Sequence, residues 1–168
     1  MKLWLLDADI LIDFLSLDIL DKLVKIHEIH AASSVIEEVK FFKRDGKKYA
    51  VSFRETYVNT GLIKELSAST DDAAVLLSRL SQTNPFNIHP GEIESLAILI
   101  REGSLTFCTC DAAAIRTLPL LDLAERGISA EELLRKSGLL KPGLKERHTE
   151  SFFMNNIAIG REQNIYNF

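Results

Sequence analysis

The segment LWLLDADILIDFL, residues 3–15, changes from one hydrophobic pattern to another within a few positions. It begins as a continuous apolar run, which is typical of a β-strand buried on both faces. From residue 9 onward its apolar residues follow the spacing of an amphipathic helix. Asp7 and Asp9 lie at the junction. Ligand sites in open α/β sheets form at the carboxyl ends of strands, so this junction is a candidate site.

The same alternation of apolar runs and helical segments continues along the chain. It predicts an α/β protein with a mainly parallel central sheet flanked by helices. We expect strands near residues 2–6, 29–32 and 104–109. We expect helices near residues 9–16, 18–26, 34–43, 71–81, 91–101, 111–117 and 129–136. The Asp45-Gly46 turn signal predicts a short extended segment within residues 45–53.

Length and composition indicate a single globular domain. The chain has 168 residues, 46% of them hydrophobic and 26% charged, which is enough for a sizeable core. Residues 1–140 are the predicted domain, and residues 141–168 are expected to pack on it or on a partner. The sequence shows neither a membrane-spanning apolar stretch nor a signal-peptide pattern, so we expect a cytoplasmic protein.

The charge distribution gives two indications. A net charge of −4 argues against a protein that holds nucleic acid through its overall field, but not against one that gathers carboxylates around a metal. Positive charge is concentrated in KFFKRDGKK, residues 40–48. This run is either a solvated helix end and turn or a phosphate-binding patch. The candidate phosphate contacts are Lys40, Lys43, Arg44, Lys47 and Lys48.

Two acids directly follow predicted strands. Asp7 ends the first strand, and Asp111 ends the strand of LTFCTCD. Aspartate is also a good helix N-cap, so each residue, taken alone, could be part of a ligand site or a cap. Thr109 lies on the same strand face as Asp111 and could direct its hydroxyl to the same place. Asp9 could cap a helix, bind a metal through water or face solvent.

Two further acids lie in the first turns of helices. In SSVIEEV, residues 33–39, Glu38 is about 65° from the centre of the stripe formed by Val35, Val39 and Phe42, and Glu37 is about 165° away. We therefore expect Glu38 at the edge of the core and Glu37 in water.

The segment HPGEIESLAILI, residues 89–100, offers a similar choice between two acids. Glu92 lies about 80° from the buried centre of the predicted helix, and Glu94 lies about 120° away. This difference favours Glu92. Acids in a first helical turn also stabilise the helix without any further function, so that alternative stays open.

Four carboxylates in one crevice would need a cation. Two carboxylates 4 Å apart repel by about 4 kcal/mol at an effective dielectric constant near 20, and a domain is stable by only about 5–15 kcal/mol. Oxygen ligands without a set of His or Cys residues suit Mg²⁺ or Mn²⁺ better than Zn²⁺. Cys108 and Cys110 are poorly placed to bond each other, and we expect buried thiols.

Taken together, four segments resemble the PIN domain family, metal-dependent ribonucleases that include VapC-type toxins. LLDADILIDFL resembles the opening strand and helix of that family, and SSVIEEV resembles its first acidic helix. HPGEIESLAIL resembles the helix with the third acid, and FCTCDAAAIR the strand that ends in Thr-x-Asp. The resemblance covers residues 1 to about 135.

The resemblance implies a Mg²⁺- or Mn²⁺-dependent enzyme that hydrolyses RNA phosphodiesters. Its implied catalytic and metal-binding residues are Asp7, Glu38, Glu92 and Asp111, with Asp9, Glu94 and Thr109 as candidate supporting residues. The basic run of residues 40–48 would contact the RNA backbone. Membership of a toxin–antitoxin pair, with an antitoxin, another protein or a second copy as partner, is also implied.

Two other functions fit parts of the pattern. The DAD motif resembles the Asp-x-Asp motif of haloacid-dehalogenase-like phosphohydrolases, where Asp7 would be the nucleophile and Asp9 a general acid. That chemistry also needs a lysine and a second acidic motif after a strand, and Asp71-Asp72 follow SAST, which is not strand-like. The other alternative is a non-catalytic module that binds RNA or protein, with its tail as the contact surface.

Overall fold

The structure is a computed structural model that describes residues 3–80 and 88–166. Its strands are β1 (Leu3–Leu6), β2 (Glu28–Ala32), β3 (Phe41–Arg44), β4 (Lys47–Ala50), β5 (Ile63–Leu66), β6 (Leu105–Cys108) and β7 (Gly127–Ile128). Five of them form a parallel sheet in the order β5-β2-β1-β6-β7. The predicted α/β class with a parallel sheet in one domain is confirmed, and the architecture is consistent with a PIN-like fold.

Helices flank this sheet. They are α1 (Ala8–Ser16), α2 (Leu20–Ile26), α3 (Ser33–Glu38), α4 (Thr70–Leu80), α5 (Pro90–Arg101), α6 (Ala112–Leu120), α7 (Ala130–Lys136) and α8 (Glu150–Tyr166). Every predicted helix begins within about two residues of an observed one. Lys2 and Ser81, the ends of two predicted elements, lie outside the described residues. None of the helices in the described ranges is both long and apolar enough to cross a membrane.

The predicted helix over residues 34–43 is wrong beyond Glu38. Helix α3 ends there, and β3 and β4 form an antiparallel hairpin. Asp45 and Gly46 have φ angles of 52° and 74°, as the tight turn of a hairpin requires at both central positions. Phe42 stacks on Tyr49 across the hairpin, with ring centroids 5.4 Å apart. The turn and the aromatic pair therefore favour strands over a longer helix. The predicted extended segment contains β4.

The sequence analysis missed β5, β7 and α8. Strand β5 lies on the edge of the sheet and pairs in parallel with β2, while β7 has only two residues. Helix α8 packs on α6 and buries Phe153 and Ile157. A Cβ at Gly160 would overlap the backbone carbonyl of Arg116, so the glycine allows the two helices to approach closely. The C-terminal residues described here thus pack back on the domain.

The strand order creates a crevice beside β1. From β1 the chain moves outward on one side to β2 and β5, and then returns to the other side of β1 to form β6 and β7. Crevices for ligands in α/β sheets lie at such reversals of strand order, outside the carboxyl ends of the strands. Asp7 follows β1 and Asp111 follows soon after β6.

Candidate metal centre

Asp7 is a buried acid at the N-terminus of α1, with 5% of its surface exposed. One carboxylate oxygen accepts a hydrogen bond from the Ile10 backbone N–H at 2.9 Å, and the other accepts one from the Thr109 hydroxyl. Burial raises the pKa of Asp7 to about 7, and the charges of Asp9 and Glu92 act in the same direction, while the two hydrogen bonds oppose them. The ionised form of Asp7 is therefore costly without a nearby cation.

Thr109 connects Asp7 to Asp111. The Thr109 hydroxyl oxygen accepts a hydrogen bond from the Asp111 backbone N–H at 3.1 Å while the hydroxyl donates to Asp7. Asp111 caps α6, since its side chain accepts a hydrogen bond from the Ala114 backbone N–H at 2.9 Å. Both acids at the strand ends therefore serve as helix N-caps, and both still line the cavity described below.

Glu92 lies in the first turn of α5, and its carboxyl group is adjacent to that of Asp111. Its carboxylate accepts a hydrogen bond from the His89 backbone N–H at 2.9 Å. The pKa of Glu92 is raised to about 7, chiefly by burial and also by the adjacent Asp111 carboxyl group and Asp9, while the hydrogen bond from His89 opposes the rise. This raised pKa favours a protonated Glu92 near neutral pH when no metal is bound.

Glu38 reaches the same place from the C-terminal end of α3 and not from a first helical turn as predicted, because the helix ends at this residue. Its side chain is exposed. Its Oε1 lies 2.8 Å from the position that a Cβ on Gly91 would occupy. The absence of a side chain at Gly91 is what allows this approach. Glu37, by contrast, pairs in solvent with Arg54 at 2.8 Å.

The predicted acids converge on one cavity of about 320 Å³. Its lining residues are Asp7, Ala8, Asp9, Val35, Glu38, His89, Pro90, Gly91, Glu92 and Asp111. No lysine or arginine belongs to this lining in the described ranges, whereas five carboxylates do. Such a set of oxygen donors fits Mg²⁺ or Mn²⁺.

Glu94, a candidate supporting residue, does not line the cavity. Its carboxylate accepts hydrogen bonds from the Ser34 backbone N–H at 2.8 Å and from the Ser34 hydroxyl. The other oxygen accepts one from the Ala68 backbone N–H at 3.3 Å. Glu94 therefore connects α5 to the first turn of α3, the helix that carries Glu38.

The predicted phosphate-binding run lies on the β3–β4 hairpin, and none of its five cations lines the cavity. Arg44 donates a hydrogen bond to the Leu15 carbonyl at 2.5 Å and lies 3.6 Å from Asp18, near the C-terminal end of α1. Lys48 lies over the ring of Phe41, 4.1 Å from its centroid. The exposed members of the run include Lys40, Lys43 and Lys47.

A second group of metal-ligand types, Asp13, Cys110 and His148, has its donor atoms within 4.8 Å of one another. Its hydrogen bonds argue against a metal. The Lys145 backbone N–H donates to His148 Nδ1 at 2.9 Å, so a neutral imidazole carries its hydrogen on Nε2, which donates to Asp13 at 2.7 Å. That nitrogen has no lone pair left for an ion. Arg147 also donates to Asp13.

The two cysteines are free and buried, as the sequence predicted. Burial raises the pKa of both thiols, and the charge of Asp7 adds to the effect. Both are therefore neutral packing residues rather than nucleophiles.

Three residues near the cavity were missed from the sequence. His89 and Gly91 line it, and Arg147 Nη1 lies 3.6 Å from Asp9 at its rim. The Pro90-Gly91 pair before Glu92 was a signal for a close approach of backbone. Arg147 had no local signal, because its position depends on how the C-terminal segment folds back. No protein-family model matches the sequence, and the search of curated proteins finds no match.

Proposed function

We propose that this protein is a Mg²⁺- or Mn²⁺-dependent ribonuclease that hydrolyses RNA phosphodiesters. The observation that carries the proposal is the convergence of Asp7, Glu38, Glu92 and Asp111, from four separate segments, on one cavity. The raised pKa values of Asp7 and Glu92 support it, because they indicate acids that lack a counter-charge. RNA as substrate rests on the family resemblance of the four segments.

The four converging acids would hold the metal. A bound divalent ion would lower the pKa of the attacking water and stabilise the departing oxygen. Thr109 holds Asp7 in one orientation through its hydroxyl, and a proton carried by Glu92 would leave when the ion binds. Hydrolysis adds the water oxygen to phosphorus and breaks the bond to the 3′-oxygen, which leaves with a proton as a hydroxyl.

The dehalogenase-like alternative has less support. That chemistry needs a lysine near the acids, and the described lining contains none. The candidate second acidic motif, Asp71-Asp72, lies at the start of α4, where Asp72 pairs with Arg101 at 2.7 Å. Arg101 is at the opposite end of α5 from Glu92, so this motif is remote from the cavity.

The decisive experiment is an RNA-cleavage assay on two adjacent glutamates of α3. Glu38→Gln should lower Mn²⁺-dependent cleavage by about 100-fold or more, because it removes a ligand. Glu37→Gln is the matched control, since that side chain pairs with Arg54 outside the cavity, and it should cleave like the wild type. A chelator should abolish RNA cleavage by both the wild type and Glu37→Gln.

Other outcomes separate the alternatives. A wild type whose melting temperature rises with Mn²⁺ but which cleaves no RNA would indicate a non-catalytic metal-binding module. Hydrolysis of a small phosphomonoester with intact RNA, together with a trapped phospho-aspartate at Asp7, would favour the dehalogenase-like reaction. No thermal shift with either Mg²⁺ or Mn²⁺ would contradict the metal centre itself.

A further inference from the structure

The buried acid Asp13 of α1 binds several residues of the C-terminal segment. Asp13 accepts hydrogen bonds from His148 Nε2 at 2.7 Å and from Arg147 Nη2 at 2.5 Å, and Lys145 Nζ lies 3.3 Å away. Although burial acts in the opposite direction, the hydrogen bonds from His148 and Arg147 hold the pKa of Asp13 below its ordinary value. Asp13 is therefore an ionised anchor that fixes the short helical turn Glu146–His148.

This anchor leaves Arg147 at the rim of the acidic cavity. While Nη2 binds Asp13, Nη1 lies 3.6 Å from a carboxylate oxygen of Asp9, and Asp9 lines the cavity. Among the described residues, the Arg147–Asp9 pair is the ion pair that includes a residue of the cavity lining. About a third of the Arg147 side chain, 35%, is exposed.

The guanidinium retains donors for another ligand. An arginine has five N–H donors, and the hydrogen bond of Arg147 within the described residues goes to Asp13. The 3.6 Å separation from Asp9 is longer than a hydrogen bond. Its Nε also has no hydrogen-bond partner among the described residues, but it is buried and is not a donor that a ligand could reach. Donors on a planar, permanently charged group suit a phosphate oxygen.

A nucleic-acid substrate needs such a cation here. The cavity presents five carboxylates, and a phosphodiester is itself an anion. Without a nearby cationic side chain, bound metal ions alone would have to offset the charge of the carboxylates and of the substrate. The basic hairpin does not line the cavity, and Arg44 is held at the other end of α1. Arg147 already lies 3.6 Å from Asp9 at the rim and is hydrogen-bonded to Asp13.

We propose that Arg147 is a substrate-binding residue that contacts a backbone phosphate of the RNA beside the acidic cavity, and that Asp13 and His148 hold it in place. The class of ligand, a nucleic-acid phosphodiester, rests on the proposed function.

The test compares Arg147→Gln with Lys145→Gln. Both variants remove a cation that contacts Asp13, but Lys145 is a more exposed side chain without an observed contact to Asp9. Binding of a short fluorescein-labelled single-stranded RNA is measured by anisotropy in Ca²⁺ over a range of salt, with a gel to confirm intact RNA. Mn²⁺ affinity is measured from the free-ion EPR signal, and folding from thermal unfolding.

Loss of a phosphate contact predicts different effects on the two ligands. R147Q should weaken RNA binding about tenfold and lower the salt slope by about one. The same variant should bind Mn²⁺ as tightly as the wild type or more tightly, because a positive charge near the ion is removed. K145Q should leave RNA affinity within about twofold, since its charge is solvent-screened.

A merely structural role gives a different result. Weaker binding of both Mn²⁺ and RNA by R147Q, or equal effects of R147Q and K145Q, would overturn the inference. If R147Q does not fold, Arg147→Lys retains the charge and should retain the wild-type salt slope, and a reduced slope would contradict the proposal. A wild type that binds RNA without cleaving it would refute the proposed function alone, whereas no RNA binding at all would refute the inference as well.

Discussion

Replacing Asp7 by asparagine should make the metal-free protein more stable at alkaline pH. Asp7 is 5% exposed, and burial raises its pKa to about 7, so above neutral pH the folded state carries a poorly solvated carboxylate. Asparagine has the same shape and can still accept the hydrogen bond from Ile10. Its amide can donate to Thr109, which reverses the direction of that hydrogen bond.

The pKa difference sets the size and sign of the effect. The pKa of Asp7 rises from an ordinary value of 3.8 to about 7 in the folded state. The stability that the protonated form contributes is present in full below about pH 4 and is lost as the pH rises through about 7. At 1.36 kcal/mol per pKa unit, the complete loss is about 4 kcal/mol. Asparagine does not titrate and so avoids this loss.

Chemical and thermal unfolding with a chelator at pH 5 and 8 would measure this loss of stability. The stability advantage of D7N over the wild type should grow by about 3 kcal/mol between these pH values, or roughly 6–12 °C in melting temperature for a domain of this size. Added Mn²⁺ should stabilise the wild type at pH 8 and leave D7N unchanged. Parallel pH profiles of D7N and wild type would refute the reasoning, and Glu37→Gln controls for the loss of an acid outside the cavity.

Three further substitutions test the packing around the site and the tail. Gly91→Ala should displace the Glu38 carboxylate, which lies 2.8 Å from the added carbon, and weaken Mn²⁺ binding about tenfold by EPR with little change in melting temperature. Thr109→Val leaves an Asp7 oxygen without its donor, so calorimetry should show Mn²⁺ affinity lower by about 10–100-fold. Gly160→Ala overlaps the backbone of α6 and should cost about 1–3 kcal/mol in chemical unfolding, while RNA cleavage per folded molecule stays at the wild-type level.

Local signals in the sequence were sufficient for most helices. Asp7, Asp111 and Ser129 each accept a hydrogen bond from the first turn of the helix that follows them, and a cap is readable from neighbouring residues alone. Strands β5 and β7 are short edge or near-edge elements that exist because a distant strand pairs with them. Such pairing is a tertiary event that local patterns do not encode.

The site shows the same division between local and tertiary information. Helical geometry correctly distinguished Glu38 from Glu37. Phe42, which was part of the assumed apolar stripe, lies in the hairpin and not in the helix. The prediction still held because Val35 and Val39 are both buried and set the direction of the stripe. Composition identified the basic run but could not give the direction of its side chains.

Two buried acids on or beside α1 differ in a way that explains why we expect a cation in the cavity. Asp7 and Asp13 are both buried on or beside this helix, yet the pKa of Asp7 is raised and that of Asp13 is lowered. The difference lies in their partners. Arg147 and Lys145 come to Asp13 from the end of the chain, whereas Asp7 has two neutral donors and acidic neighbours in the described residues. Because the described residues bring cations to Asp13 and none to Asp7, a bound ion is the counter-charge that we propose for Asp7, and this is the physical basis of the proposed metal centre.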